Sequence, residues 1–326
     1  MARNHARLFA VMLGVLLVAG CTQTTKSTEL LTVPPLEQTG SNGHFDSLES
    51  RADTTLLPTV VMVYRIRPAN VNQGQFEATA MRLGVPGKAA QDEKRFVAVG
   101  PEAVFETDKV TGSFDYTTRA FEAQTTPLQT VLSDEEYRQR AVDFLTSHGL
   151  MEEAADFQDV NKGNVVGTYE NGEWVERPYM VEVRFSHKPL NGIAFDKGVG
   201  PKIVVQFGED GTILGAMSIW RNVQPFRTYV LKTPGQALAD VRSGKAQVYG
   251  AKPDDSGVVE SITLSYLNEP LGYNQEFIIP AYILGGTTAS NERFAAVVYA
   301  IPDEQLNIDP TLCEGISAPP IVNREQ

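Results

Sequence analysis

The stretch Tyr179-Met-Val-Glu-Val-Arg-Phe185, followed by Lys202-Ile-Val-Val-Gln-Phe207, Gly208-Glu-Asp-Gly-Thr212 and Ile213-Leu-Gly-Ala-Met-Ser-Ile-Trp220, decides the fold. Tyr179, Val181, Val183 and Phe185 alternate with Met180, Glu182 and Arg184, which is the period of two of a half-buried strand. Asp210-Gly211 between two such runs is a strong hairpin signal, because both residues tolerate the positive φ that a tight turn needs. The stretch therefore predicts an antiparallel meander with one covered face and one more polar face.

Outward from it, three capped helices are predicted. Asn72 with Gln75 opens the first, which Gly84 ends, and Ser133 with Glu136 opens the second. In the second, Tyr137, Ala141, Phe144 and Leu145 share one face, and Gly149 closes it. Thr233 with Gln236 opens the third, with Pro234 in its first turn and Gly244 at its end. Strands are expected over 59–66, 96–99, 104–107, 113–117, 165–169, 258–267, 277–284 and 293–301, with an Asn171-Gly172 turn before Trp174. The expected fold class is α+β: short helices packed on antiparallel β-sheets, in two or three related helix-plus-meander modules. The expected boundaries are a signal peptide over 1–20, a lipidated flexible tether over 21–57, an N-terminal module over 58–127, a central module over 128–231, a C-terminal module over 232–304 and a tail over 305–326.

The chain has 326 residues and a net charge of -12. Without the first twenty residues, 26 basic groups face 40 acidic ones, for a net charge of -14. That field disfavours nucleic acid, whose binding depends on neutralising phosphates with Lys and Arg. At the N-terminus, Arg3 and Arg7 precede the apolar run Leu8 to Ala19, which is too short to span a bilayer and has the layout of a secretory signal. Val18-Ala19-Gly20-Cys21 resembles the lipobox of bacterial lipoproteins. That resemblance implies cleavage before Cys21, acylation of Cys21 and a stable anchor in the outer leaflet of the cytoplasmic membrane. Because Asp does not follow Cys21, it resembles lipoproteins sent to the outer membrane where there are two membranes. Cys313 is then left as a free thiol.

Phe185 through Arg221 resembles the β-meander of PepSY-like domains, related to thermolysin-type propeptides and to envelope regulators of sensor kinases. The helix at Thr233-Pro-Gly-Gln-Ala237 and the segments Ile279 to Gly285 and Val298 to Pro302 fit the same pattern. The resemblance implies a non-catalytic module that binds or restrains another envelope protein. It carries no catalytic motif, and no peptidase follows for a propeptide to act on in cis.

Of the residues that carry chemistry, His44, His148 and His187 have no metal-ligand spacing, and there is no Gly-x-Ser-x-Gly elbow or phosphate loop. A triad using His187 is not excluded by spacing. The acidic pairs Glu209-Asp210 and Asp254-Asp255 lack a calcium-loop register and read as turn tips. No catalytic residue, metal or cofactor is expected. The candidate binding surface is Trp174, Tyr179, Trp220, Arg221 and Phe226. Aromatic and Arg side chains dominate contact hot spots, although Trp220-Arg221 equally suits the end of a core strand, the reading favoured here. The expected function is a non-enzymatic, membrane-anchored surface lipoprotein that binds or regulates an envelope protein. The alternatives are a peptidase inhibitor acting in trans and a hydrolase of unrecognised class.

Overall fold

The Asp210-Gly211 turn forms as the sequence predicts, with φ of 53° at Asp210 and 69° at Gly211. The protein is described by a computed structural model that covers residues 30–36, 45–86, 89–170, 172–195, 200–252, 255–268 and 275–313. The signal segment, Cys21, His44, Asn171, Asp254 and the end of the tail lie outside the described residues. In chain order the first elements are β1 (Leu31–Val33), β2 (Ser47–Ser50), β3 (Val60–Arg67), α1 (Gln73–Arg82), β4 (Ala90–Gln91), β5 (Arg95–Val99), β6 (Ala103–Asp108), β7 (Phe114–Thr118), α2 (Arg119–Ala123) and α3 (Asp134–His148). There follow β8 (Ala155–Glu170), β9 (Glu173–His187), β10 (Lys202–Phe207), β11 (Ile213–Ile219), β12 (Asn222–Val230), α4 (Pro234–Arg242), β13 (Gln247–Tyr249), β14 (Ser256–Leu267), β15 (Phe277–Thr288), β16 (Arg293–Tyr299) and β17 (Leu306–Ile308).

The three helix starts are where their caps predict, with full capping boxes at Asn72, Ser133 and Thr233. The expected α+β class, however, is overturned. The protein is mostly β, with large antiparallel sheets and four α-helices among the described residues, and it is not a set of helix-on-sheet modules. The reason lies in strand pairing. An eight-stranded sheet runs in the order β4-β5-β6-β7-β11-β10-β9-β8. Its two meanders would each end on an open edge, and unpaired edge groups seek partners. Here the edges close on each other, as β7 and β11 pair from Thr117–Gly215 to Phe114–Ser218.

One face of this sheet carries α1 and α3. Phe76 of α1 stacks on Phe96 and Phe105 with centroids 5.4 and 5.2 Å away, and Tyr137 of α3 sits 5.2 Å from Phe207. With Ala141, Leu145, Val181, Val183, Ile203 and Val205 they form one core.

A second core gathers β1, β2, β3, β12 and α4 around β14, β15 and β16. The expected boundaries do not follow this pairing. β3, from the expected 58–127 module, and β12, from the expected 128–231 module, pair with each other, and β3 also meets β15 at Phe277 and Ile278. The expected tether contributes to this core, for Leu31, Val33, Phe45 and Leu48 are buried. β2 pairs in parallel with β14. β1 pairs in parallel with β17, within the expected tail, with Leu31 opposite Leu306.

A charge cluster around the buried Lys232 fixes α4 to this core, with Asp303 and Lys245 at its exposed rim. Lys232 Nζ, 8% exposed, lies 2.7 Å from Asp240 Oδ2 and 2.6 Å from Asp303 Oδ1, and Lys245 Nζ reaches Asp303 Oδ2 at 2.7 Å. Lys232 first, then Lys245, holds the Asp303 carboxyl below its usual pKa by donating hydrogen bonds to it. Lys232→Ala should cost about 3 kcal/mol in urea unfolding, because it strands Asp240 in the interior. The contribution of Asp303 has the sign of a depressed carboxyl. It is complete above the unfolded pKa, near 3.8, and is lost as pH falls through the lower folded value. An acid titration of Asp303→Asn should therefore show less stability loss below pH ~4 than the wild type.

Candidate binding surfaces

The longest hairpin, β8–β9, outruns the sheet that bears it. β9 pairs with β10 only from Val181 to Ser186, while β8 and β9 pair on to Glu170 and Glu173. The segment Glu173–Met180 thus extends as a two-stranded ribbon roughly 25 Å long, at about 3.4 Å per residue. Its base is tied down by the Leu128 amide, which donates to the Pro178 carbonyl at 2.9 Å. Lys162 ties β8 to α3 through Asp134 at 2.6 Å. At its far end Tyr169, 75% exposed, meets Trp174, 58% exposed, edge to face at 5.1 Å. The indole lies across Gly167, where a Cβ would run into its ring. A larger residue there would push the exposed indole aside, and as placed the Trp covers the bare backbone that Gly leaves.

The five residues singled out from the sequence do not come together. Trp174 is at the ribbon tip. Tyr179 is half-buried, five residues along β9, or about 17 Å at strand rise. Trp220 and Arg221 are both 2% exposed. Trp220 stacks on His187 with centroids 5.1 Å apart, and its amide donates to Ser113 Oγ, which in turn donates to the Trp220 carbonyl. Phe226 lies on the other sheet, 5.0 Å from Phe277, with the Arg65 guanidinium 4.5 Å above its ring. The exposed partner of Trp174 is Tyr169, which the sequence reading did not single out. Its signal was present in the alternation Val165, Gly167, Tyr169 leading to the turn.

The acidic turn Glu209-Asp210 is occupied by structure. Glu209 accepts the Gln129 and Thr130 amides at 2.7 Å each, and these bonds hold its pKa low. Arg140 Nη1 donates to the Asp210 carbonyl at 2.7 Å. A Cβ on Gly211 would lie 2.6 Å from that guanidinium. His148 Nδ1 donates to the Phe144 carbonyl at 2.7 Å. His187 Nδ1 donates to the Lys188 carbonyl at 2.7 Å, its ring meets Phe195 and Trp220, and burial depresses its pKa. Among the described residues, no group of three or more His, Cys, Asp or Glu side chains is placed to hold a metal ion, and no helix is long and apolar enough to cross a membrane.

Among the described residues, burial raises the pKa of Glu106, Asp115 and Glu152. Glu106 and Asp115 are cross-strand neighbours on the sheet face opposite the helices, and burial is the main cause for both. Arg95 pairs with Glu106 at 3.3 Å, and Thr117 donates to Asp115 at 2.7 Å. Glu152, raised by burial alone, lines a cleft of about 450 Å³ between α1 and the sheet. Phe76, Phe105 and Phe114 line that cleft with Arg82 of α1.

No family model and no curated protein matches the chain. Among solved structures, it is similar to a crystal structure of an uncharacterized protein from Eubacterium rectale ATCC 33656, with 12% identity and a TM-score of 0.43, over 81% of this chain and 92% of that one.

The two tryptophans should separate in an unfolding experiment. Trp220→Ala removes a fully packed ring and should cost about 3–5 kcal/mol. Trp174→Ala should cost less than about 1 kcal/mol, as for other exposed positions. Urea midpoints of the two variants, read by circular dichroism, make the comparison.

Proposed function

We propose that the protein is a non-enzymatic, lipid-anchored binding protein of the cell envelope that engages a protein partner through the tip of the β8–β9 ribbon. The single observation that carries this reading is the exposed Tyr169–Trp174 pair at the end of a two-stranded extension. A lone two-stranded ribbon is marginally stable in water, so a partner that covers it stabilises it as well. Rigid aromatic side chains present large contact area at low entropic cost, which is why they anchor contact hot spots. The net charge of -14 after the signal segment turns the surface away from nucleic acid. The lipobox-like Val18-Ala19-Gly20-Cys21 supports the anchor. The resemblance of Phe185 through Arg221 to PepSY-like meanders supports a role in restraining or presenting another envelope protein.

Two experiments test the reading. Cys21→Ser should move the protein from the membrane fraction to the soluble one on fractionation, and a variant that stays with the membrane contradicts the anchor. A photo-cross-linker placed at Val175 in the anchored full chain should give one discrete adduct in cells, abolished by Tyr169→Ser with Trp174→Ser. Absence of an adduct, or one insensitive to the double substitution, contradicts contact through the ribbon tip.

A further inference from the structure

Beyond the ribbon, the cleft beside α1 has features of a small-molecule site. We infer that it binds a small apolar zwitterion, a molecule with a free ammonium and a free carboxylate on an apolar body, such as an apolar amino acid or a short apolar peptide.

The cleft's volume of about 450 Å³ lies within the ~300–1,000 Å³ usual for ligand pockets. Its floor lies over the buried rings of Phe76, Phe105 and Phe114, and the less buried Ala69, Val71 and Ala78 add apolar lining. Such a lining takes an apolar body.

Charge then narrows the occupant. Two opposite charges line the same cleft without pairing. Arg82 is held in place by its Nε bond to the His148 carbonyl at 3.1 Å and its Nη2 bond to Thr79 Oγ1 at 2.9 Å. These bonds use two of the five N–H groups of the exposed guanidinium, which leaves donors for a carboxylate. Glu152 is half-buried, and no described side chain or amide hydrogen-bonds or ion-pairs with its carboxyl. An unpaired carboxylate withdrawn from water is costly, and an incoming ammonium removes that cost. Burial lifts its pKa. A ligand bearing only one charge would satisfy one of these groups; a zwitterion satisfies both.

The α1 cleft and the ribbon tip share no residue, so this inference and the proposed protein contact stand or fall separately.

Calorimetric titration of the detergent-solubilised full chain with L-phenylalanine and with L-phenylalanyl-L-phenylalanine tests it. At least one should bind saturably, and which one binds tells a free amino acid from a peptide terminus. N-acetyl-L-phenylalanine and L-phenylalaninamide each lack one charge and should bind about ten-fold more weakly than L-phenylalanine, the loss expected for one charge-assisted hydrogen bond; for the dipeptide, the N-acetylated and amidated forms serve the same purpose. Glu152→Gln, which keeps the shape, should weaken the zwitterion to a similar extent while the thermal midpoint of the ligand-free protein is no lower than that of the wild type, because the costly charge is removed. No saturable heat with either zwitterion at millimolar concentration overturns the inference. So does equal binding of the singly charged analogues, or unchanged affinity in Glu152→Gln. Should Glu152→Gln fail to fold, the analogue series on the wild-type chain decides alone.

Discussion

Four residue pairs between β7 and β11 hold the largest sheet together. Without them β4 to β7 and β8 to β11 would be two four-stranded meanders with bare edges; with them, the helices α1 and α3 share one face and one core. The pairing tolerates little bulk. A Cβ on Gly215 would lie 3.0 Å from the Tyr116 carbonyl, so glycine lets the two strands meet. Just past the seam, reciprocal bonds with Ser113 Oγ satisfy the backbone N–H and C=O of Trp220 in the interior, where an unmade bond costs more than a made one gains.

From that seam a column of rings leads into the second core. Trp220 stacks on His187, His187 meets Phe195 at 5.0 Å, Phe195 meets Tyr266 at 5.8 Å, and Tyr266 meets Tyr64 edge to face at 5.5 Å. Tyr266 also donates its hydroxyl to the Met62 carbonyl at 2.6 Å, and burial pushes its own pKa above the ordinary tyrosine range. The column explains why Trp220 is an interior residue, far from the contact proposed for the opposite end of the hairpin. His187 and Trp174 are thirteen residues apart on β9, roughly 40 Å along a strand.

What was legible in the sequence was local. Capping boxes at Asn72, Ser133 and Thr233 and the Asp210-Gly211 turn depend on residues within a few positions of each other, and each is where it was read. What was not legible depends on distant partners. Thr117 and Gly215 meet across about a hundred residues, and β1 meets β17 across nearly the whole chain. Three-residue strands such as Leu31–Val33 offer too few positions for a period to show. The first half of β8 was missed for another reason: irregularities at Phe157/Asp159 and Asn161/Asn164 break the alternation that would have marked it. The ribbon tip was half legible, through Trp174 beside a turn. The α1 cleft was not, because Arg82 and Glu152 are seventy residues apart and form no motif.

The claim on which the rest depends is that the two meanders are one cooperative sheet. Native-state hydrogen exchange followed by mass spectrometry tests it most directly. A fused sheet predicts that the amides of β6 and β7 and those of β10 and β11 exchange through a common opening, with matching protection that falls together as denaturant is added. Protection of β6 and β7 that is lost at far lower denaturant than that of β10 and β11 would mean that the meanders are separate units, and would contradict the account.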